Sequence, residues 1–136
     1  MWKLTFTFSG QTITLGTWAA GAGGFFAFLS PIIGWFGTAV TGSDTSTNSL
    51  FGALQVTAAK HAGLSPVLLA GANSSGGVLA KMISPQNLAI GAAAVGLAGR
   101  EGDIFRKVIG WSILLVLIVA GLALLQSKGA LSWMVP

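Results

Sequence analysis

From Leu4 to Ser43 the chain carries no charged residue, and the first charge it then meets is Asp44. That acid lies inside the hydroxyl-rich stretch Thr41-Gly-Ser-Asp-Thr-Ser-Thr-Asn48, and the next charge is Lys60. A carboxylate between two such apolar runs is costly in a bilayer unless it faces protein, water or an ion. The fold must therefore give Asp44 polar company. A second polar break, Asn73-Ser-Ser-Gly-Gly77, follows, and after it Lys81 and Ser84-Pro-Gln-Asn87. These breaks read as one site, and the apolar stretches as the scaffold that holds it.

Only 7% of the 136 residues are charged and 53% are hydrophobic. A soluble domain usually carries about 25% charged residues, so the chain reads as an all-α integral membrane protein. Twenty glycines agree, because Gly lets membrane helices approach closely. The net charge of +4 comes without a basic run, which argues against nucleic acid as a partner. No cysteine is present, which excludes disulfides, thiolate metal sites and a Cys nucleophile. One histidine and three acids leave little for a metal cluster or a catalytic triad, so no cofactor and no metal are expected. Leu4-Thr-Phe-Thr-Phe-Ser9 alternates apolar and hydroxyl residues and is not the apolar core of a cleavable signal.

At roughly 20 residues per pass, the length accommodates three to four membrane segments. Trp18 to Val40 is long enough to cross, but Ser30-Pro31 marks a helix start within it, predicting a kink or two half-helices. The same Ser-Pro signal returns at Ser65-Pro66 and Ser84-Pro85. Ser49 to Lys60 reads as a short helix stopped by Lys60-His-Ala-Gly63. Pro66 to Ala72 reads as a half-helix that dissolves at Asn73–Gly77, and Pro85 to Gly99 as an Ala- and Gly-rich helix. Arg100-Glu-Gly-Asp-Ile-Phe-Arg-Lys107 reads as a loop or the wet end of a helix, on the cytoplasmic side, which places the C-terminus outside. Val108 to Ser127 is the conventional spanning helix.

Short helices separated by polar breaks are the pattern of transporter sites, in which helix N-termini attract anions and free carbonyls attract cations. The candidate ligands are Ser43, Asp44, Thr45, Ser46 and Asn48 in the first break. Asn73, Ser74, Ser75, Gly76 and Gly77 form the second set, with Lys81, Ser84 and Gln86 beyond it. Plain structural roles stand beside each. Asp44, with Thr45 or Ser46, reads equally as an N-cap. Ser74 and Ser75 suit helix-end hydrogen bonds, Gly76-Gly77 suits a turn, and Lys81 suits an interfacial position. His61 reads as a loop residue, and Trp18, Trp35, Trp111 and Trp133 as interfacial anchors.

Ser30-Pro-Ile-Ile-Gly-Trp35, Thr41–Asn48, Ala72-Asn-Ser-Ser-Gly-Gly-Val78 and Lys81-Met-Ile-Ser-Pro-Gln86, in that order and spacing, resemble the L-lactate permease family. The resemblance runs from about Ser9 to Gln126. It implies a multi-pass carrier of the bacterial plasma (inner) membrane that takes up lactate or glycolate with a proton. Family members are several times longer, so residues 1–136 look like a C-terminal part whose partner is the missing N-terminal portion. On that reading Lys81 and helix termini meet the substrate carboxylate, and Asp44 carries the proton. Two other classes stay open: an accessory or truncated membrane subunit without activity of its own, and a membrane-embedded enzyme. The last normally needs paired acids or metal ligands, and Asp44 stands alone in its apolar region.

Overall fold

A computed structural model describes residues 10–134, so the Leu4–Ser9 alternation lies outside the described residues. Among them the chain is helical and has no strand. Six α-helices follow one another: α1 (Gln11–Ala20), α2 (Phe26–Thr41), α3 (Asp44–Ala62), α4 (Pro66–Ala80), α5 (Pro85–Ala94) and α6 (Glu101–Ser127). Short 3₁₀ turns at Gly23–Phe25, Lys81–Ile83 and Ser132–Met134 join or follow them.

Two of the Ser-Pro pairs start helices. Ser65 Oγ accepts from Leu68 N–H at 3.3 Å and Ser84 Oγ from Asn87 N–H at 3.4 Å, each with proline at the first helical position. Such a cap stabilises a helix by about 1 kcal/mol. Ser30-Pro31 behaves differently. It lies inside α2, and the interruption expected there falls instead at Gly21-Ala-Gly-Gly24, where Gly23 takes φ +54°. The buried Ser30 hydroxyl does not cap; it donates to the Leu69 carbonyl on α4 at 2.8 Å.

Both polar breaks also differ from expectation. The first shrinks to Gly42, in the left-handed region at φ 71°, and Ser43, after which α3 begins at Asp44. The N-cap is Ser43, whose Oγ accepts from Ser46 N–H at 3.3 Å, so Asp44, Thr45 and Ser46 belong to the helix's first turn. The second break does not exist as a break: Asn73–Gly77 are continuous α4. The half-helix expected to dissolve there stays wound because Asn73 and Ser74 find partners on α3 and Ser75 bonds back to the Gly71 carbonyl. Further on, α5 stops at Ala94, short of Gly99, and the charged segment becomes the first turns of α6.

Among the described residues, two helices are, by length and composition, apolar enough to cross a membrane: Gly23–Thr41 and Glu101–Ser127. The other segments are not of this kind: α4, at 15 residues, is shorter than a full crossing, and α3 carries the polar residues. A core of Phe26, Ala27, Leu54, Ala58, Ala59 and Leu69 joins α2, α3 and α4. The most intimate contact is between α2 and α4. A Cβ on Gly34 would strike the Asn73 carbonyl, and one on Gly76 would strike the Pro31 carbonyl. Glycine at both places lets the two backbones touch, as in membrane helix pairs. Helix α6 is tied on by Trp35, whose indole N–H donates to Ser112 Oγ at 2.8 Å; Ser112 in turn donates to the Leu79 carbonyl at 2.8 Å. Trp35 is thus an interhelical tie, whereas Trp18, Trp111 and Trp133 are exposed. Outward on α6, Leu114, Leu117, Ile118, Leu122 and Leu125 are exposed, an apolar face suited to lipid.

Candidate functional site

The first turn of α3 carries the partial positive charge of a helix N-terminus, which favours a carboxylate there. Asp44 occupies that turn and leans toward α4. Its Oδ2 accepts from Asn48 Nδ2 at 3.0 Å and from Ser74 Oγ at 2.9 Å. Asn48 Nδ2 also donates to Ser74 Oγ at 3.1 Å, closing a small ring of three side chains. The other oxygen, Oδ1, is buried with no hydrogen-bond partner. It rests against Gly77: a Cβ there would fall on Oδ1 and 2.8 Å from Thr38 Oγ1. No side chain at position 77 means a carboxyl fits between α3 and α4.

Behind the carboxyl the polar interior continues in two directions. Asn48 Oδ1 accepts from Asn73 Nδ2 at 2.8 Å, and Asn73 Oδ1 accepts from Gln55 Nε2 at 3.0 Å. On the α2 side, Thr38 donates to Thr47 Oγ1 at 2.9 Å, and Thr47 donates to the Ser43 carbonyl at 3.1 Å. Thr41 Oγ1 lies 3.1 Å from Thr47 Oγ1 and receives the Ser43 N–H at 3.2 Å. Thr38, Thr47, Gln55 and Asn73 are all buried.

Of the expected site residues, Asp44, Asn48, Asn73, Ser74 and Gly77 come together. Ser43 supports them as the cap, and Ser46 contributes the capped N–H. Gly76 serves the α2 contact. Thr45 and Ser75 are exposed, and Ser75 bonds back to the Gly71 carbonyl at 2.9 Å. Ser84 is the buried cap of α5. Gln86 reaches back over the α2–α3 turn, close to Gly42. The exposed Lys81 ammonium makes no hydrogen bond or ion pair among the described residues, so the structure does not join it to Asp44. Sequence reading did not single out Thr38 and Gln55, took Ser30 only as a helix start, and left Thr47 out of the candidate ligands within its polar stretch. Their signal was helical spacing: 44, 48 and 55 share one face of α3, and 30, 34, 37, 38 and 41 one stripe of α2.

Apolar outer faces on α2 and α6 around buried amides, hydroxyls and one carboxyl fit the class of membrane-embedded helical proteins with an ionisable interior. The model of the L-lactate permease family matches residues 3–128, and the chain belongs to that family. It is 52% identical over 128 residues to an L-lactate permease of Bacillus subtilis (strain 168), covering 94% of this chain and 23% of that protein. An L-lactate permease of Escherichia coli (strain K12) is 50% identical, with 95% and 23% covered. A glycolate permease of the same strain is 47% identical, with 88% and 21% covered. The chain thus spans about a quarter of the length of these relatives. Permeases are transporters and not enzymes, so the enzyme alternative falls away. No solved structure matches the chain.

Proposed function

We propose that this segment builds part of the proton- and solute-handling core of a carrier. The carrier takes up L-lactate, or a related 2-hydroxy monocarboxylate such as glycolate, across the bacterial plasma membrane with a coupled proton. The observation that carries the reading is Asp44: one carboxyl oxygen held by Asn48 and Ser74, the other buried and bare against Gly77. A bare buried acceptor is costly to leave unsatisfied, and Oδ1 is the carboxyl oxygen left open to a proton. Support also comes from the names of the relatives, which are lactate and glycolate permeases.

On this reading Asp44 is the proton carrier and Asn48 and Ser74 are its hydrogen-bond partners. The N-terminal turn of α3, with Ser43, Thr45 and Ser46, offers N–H and hydroxyl groups to an anionic substrate. Asn73, Gly76 and Gly77 shape the wall. Arg100, Arg106 and Lys107 at the wet end of α6 face the cytoplasm. The remaining three quarters of the carrier come from the portion that the relatives have beyond this segment.

The test is Asp44→Asn in the full-length carrier. Asn keeps the shape but cannot cycle a charge, so accumulation driven by an imposed pH step should vanish while downhill lactate exchange partly survives. A variant present in the membrane at normal abundance that still accumulates lactate against its gradient would remove Asp44 from the mechanism.

A further inference from the structure

The core amides are strung head to tail. Gln55 Nε2 donates to Asn73 Oδ1 at 3.0 Å and to the Ser30 carbonyl at 3.4 Å. Asn73 Nδ2 donates to Asn48 Oδ1 at 2.8 Å, and Asn48 Nδ2 donates to Asp44 Oδ2 at 3.0 Å. Each end of a side-chain amide is either donor or acceptor. The order is therefore set from the far end. A backbone carbonyl can only accept, so Ser30 turns the Gln55 NH₂ toward itself and Asn73, and each amide then orients the next. In the reverse order Asn48 would turn an oxygen onto the Asp44 carboxylate.

Gln55 is fully buried, yet its Oε1 has no partner. A side chain kept for packing alone would gain nothing from a bare buried carbonyl, which costs stability. Its NH₂ is the end in use. We infer that Gln55 and Asn73 are positioning residues: they hold the Asn48 amide with its N–H toward Asp44 and so steady the carboxyl on which coupling depends. Their role in transport rests on the proposal that Asp44 carries the proton; their effect on the Asp44 carboxylate does not.

The test uses the chain in lipid nanodiscs and infrared difference spectroscopy of the Asp44 carboxylate stretch, identified as the band lost in Asp44→Asn. Gln55→Met and Asn73→Leu keep bulk and remove the amide. In both, the band should move in the same direction, and in the double variant no further than in the larger single, because all three cut one chain. The amide band of the same spectra reports helix content, so either variant that stays helical decides the matter. A band at its parent position in a helical Gln55→Met or Asn73→Leu protein overturns the inference. In the full-length carrier, Gln55→Met should lower pH-driven accumulation by roughly ten- to a hundredfold, the size of one misdirected charge-assisted hydrogen bond, with downhill exchange retained. Unchanged accumulation in a Gln55→Met carrier overturns the role in transport. If Asp44→Asn also accumulates normally, the proton-carrier reading is what has failed, and a moved carboxylate band still supports the positioning.

Discussion

Alanine at Gly77 and alanine at Gly71 form a matched pair in one helix. In a helix interior Gly→Ala by itself is worth about 0.5–1 kcal/mol of added stability. At Gly71 nothing lies within 4 Å of the added carbon, so that gain is realised. At Gly77 the same carbon lands on Asp44 Oδ1 and 2.8 Å from Thr38 Oγ1. Either α4 retreats from α2 and α3, or the carboxyl swings away from Asn48 and Ser74. Overpacking of the first kind costs about 1–3 kcal/mol, and a lost hydrogen bond to a charged group about 1.5–3. Gly77→Ala should therefore lie about 1–3 kcal/mol below Gly71→Ala, since the helix-propensity gain is common to both. At roughly 3 °C per kcal/mol for a chain of this size, their melting midpoints should differ by about 3–9 °C. Circular dichroism melts of both variants in the same detergent measure this directly. Equal midpoints would show that the carboxyl is not lodged against Gly77, and the site geometry would have to be abandoned.

Two further outcomes follow from the packing. Gly34→Ala and Gly76→Ala each put a carbon against a backbone carbonyl, which cannot rotate away as a side chain can; neither variant should yield a melting transition like that of the parent, and a parent-like melt from either refutes the α2–α4 contact. Ser112→Ala leaves the Trp35 N–H and the Leu79 carbonyl without their shared partner, so it should cost about 1–3 kcal/mol and loosen α6, read as faster proteolysis between α5 and α6. Proteolysis at the parent rate would mean that the α6 contact is carried by its alanines.

How much of this was legible depended on whether the signal was local. Ser65-Pro66 and Ser84-Pro85 announced helix starts because cap and proline act within one turn. Gly63 announced the end of α3 for the same reason, at φ 67°. Ser30-Pro31 is the same dipeptide and misled, because its hydroxyl is taken by the Leu69 carbonyl of another helix. Asn73–Gly77 misled likewise: polarity that looks like unwinding in one dimension is satisfied between helices in three. Asp44, Asn48, Asn73 and Ser74 stood out as polar residues between apolar runs, but their mutual bonding was not visible. Gln55 went unnoticed because a single amide in a helix of mixed polarity attracts no attention until its partners are seen.

The touching glycines of α2 and α4 bear on how such a carrier could move. A slip of one turn would replace Gly76 by Ala72, Asn73, Leu79 or Ala80, and each would drive a side chain into the carbonyl of Pro31. The crossing is a lock and not a rail. The contact holds α2 and α4 in one register, and Asp44, bonded to Ser74 of α4, is held with them. Movement in the carrier proposed above would have to be taken up outside this pair, with the Gly21–Gly24 joint before α2 as the adjacent break.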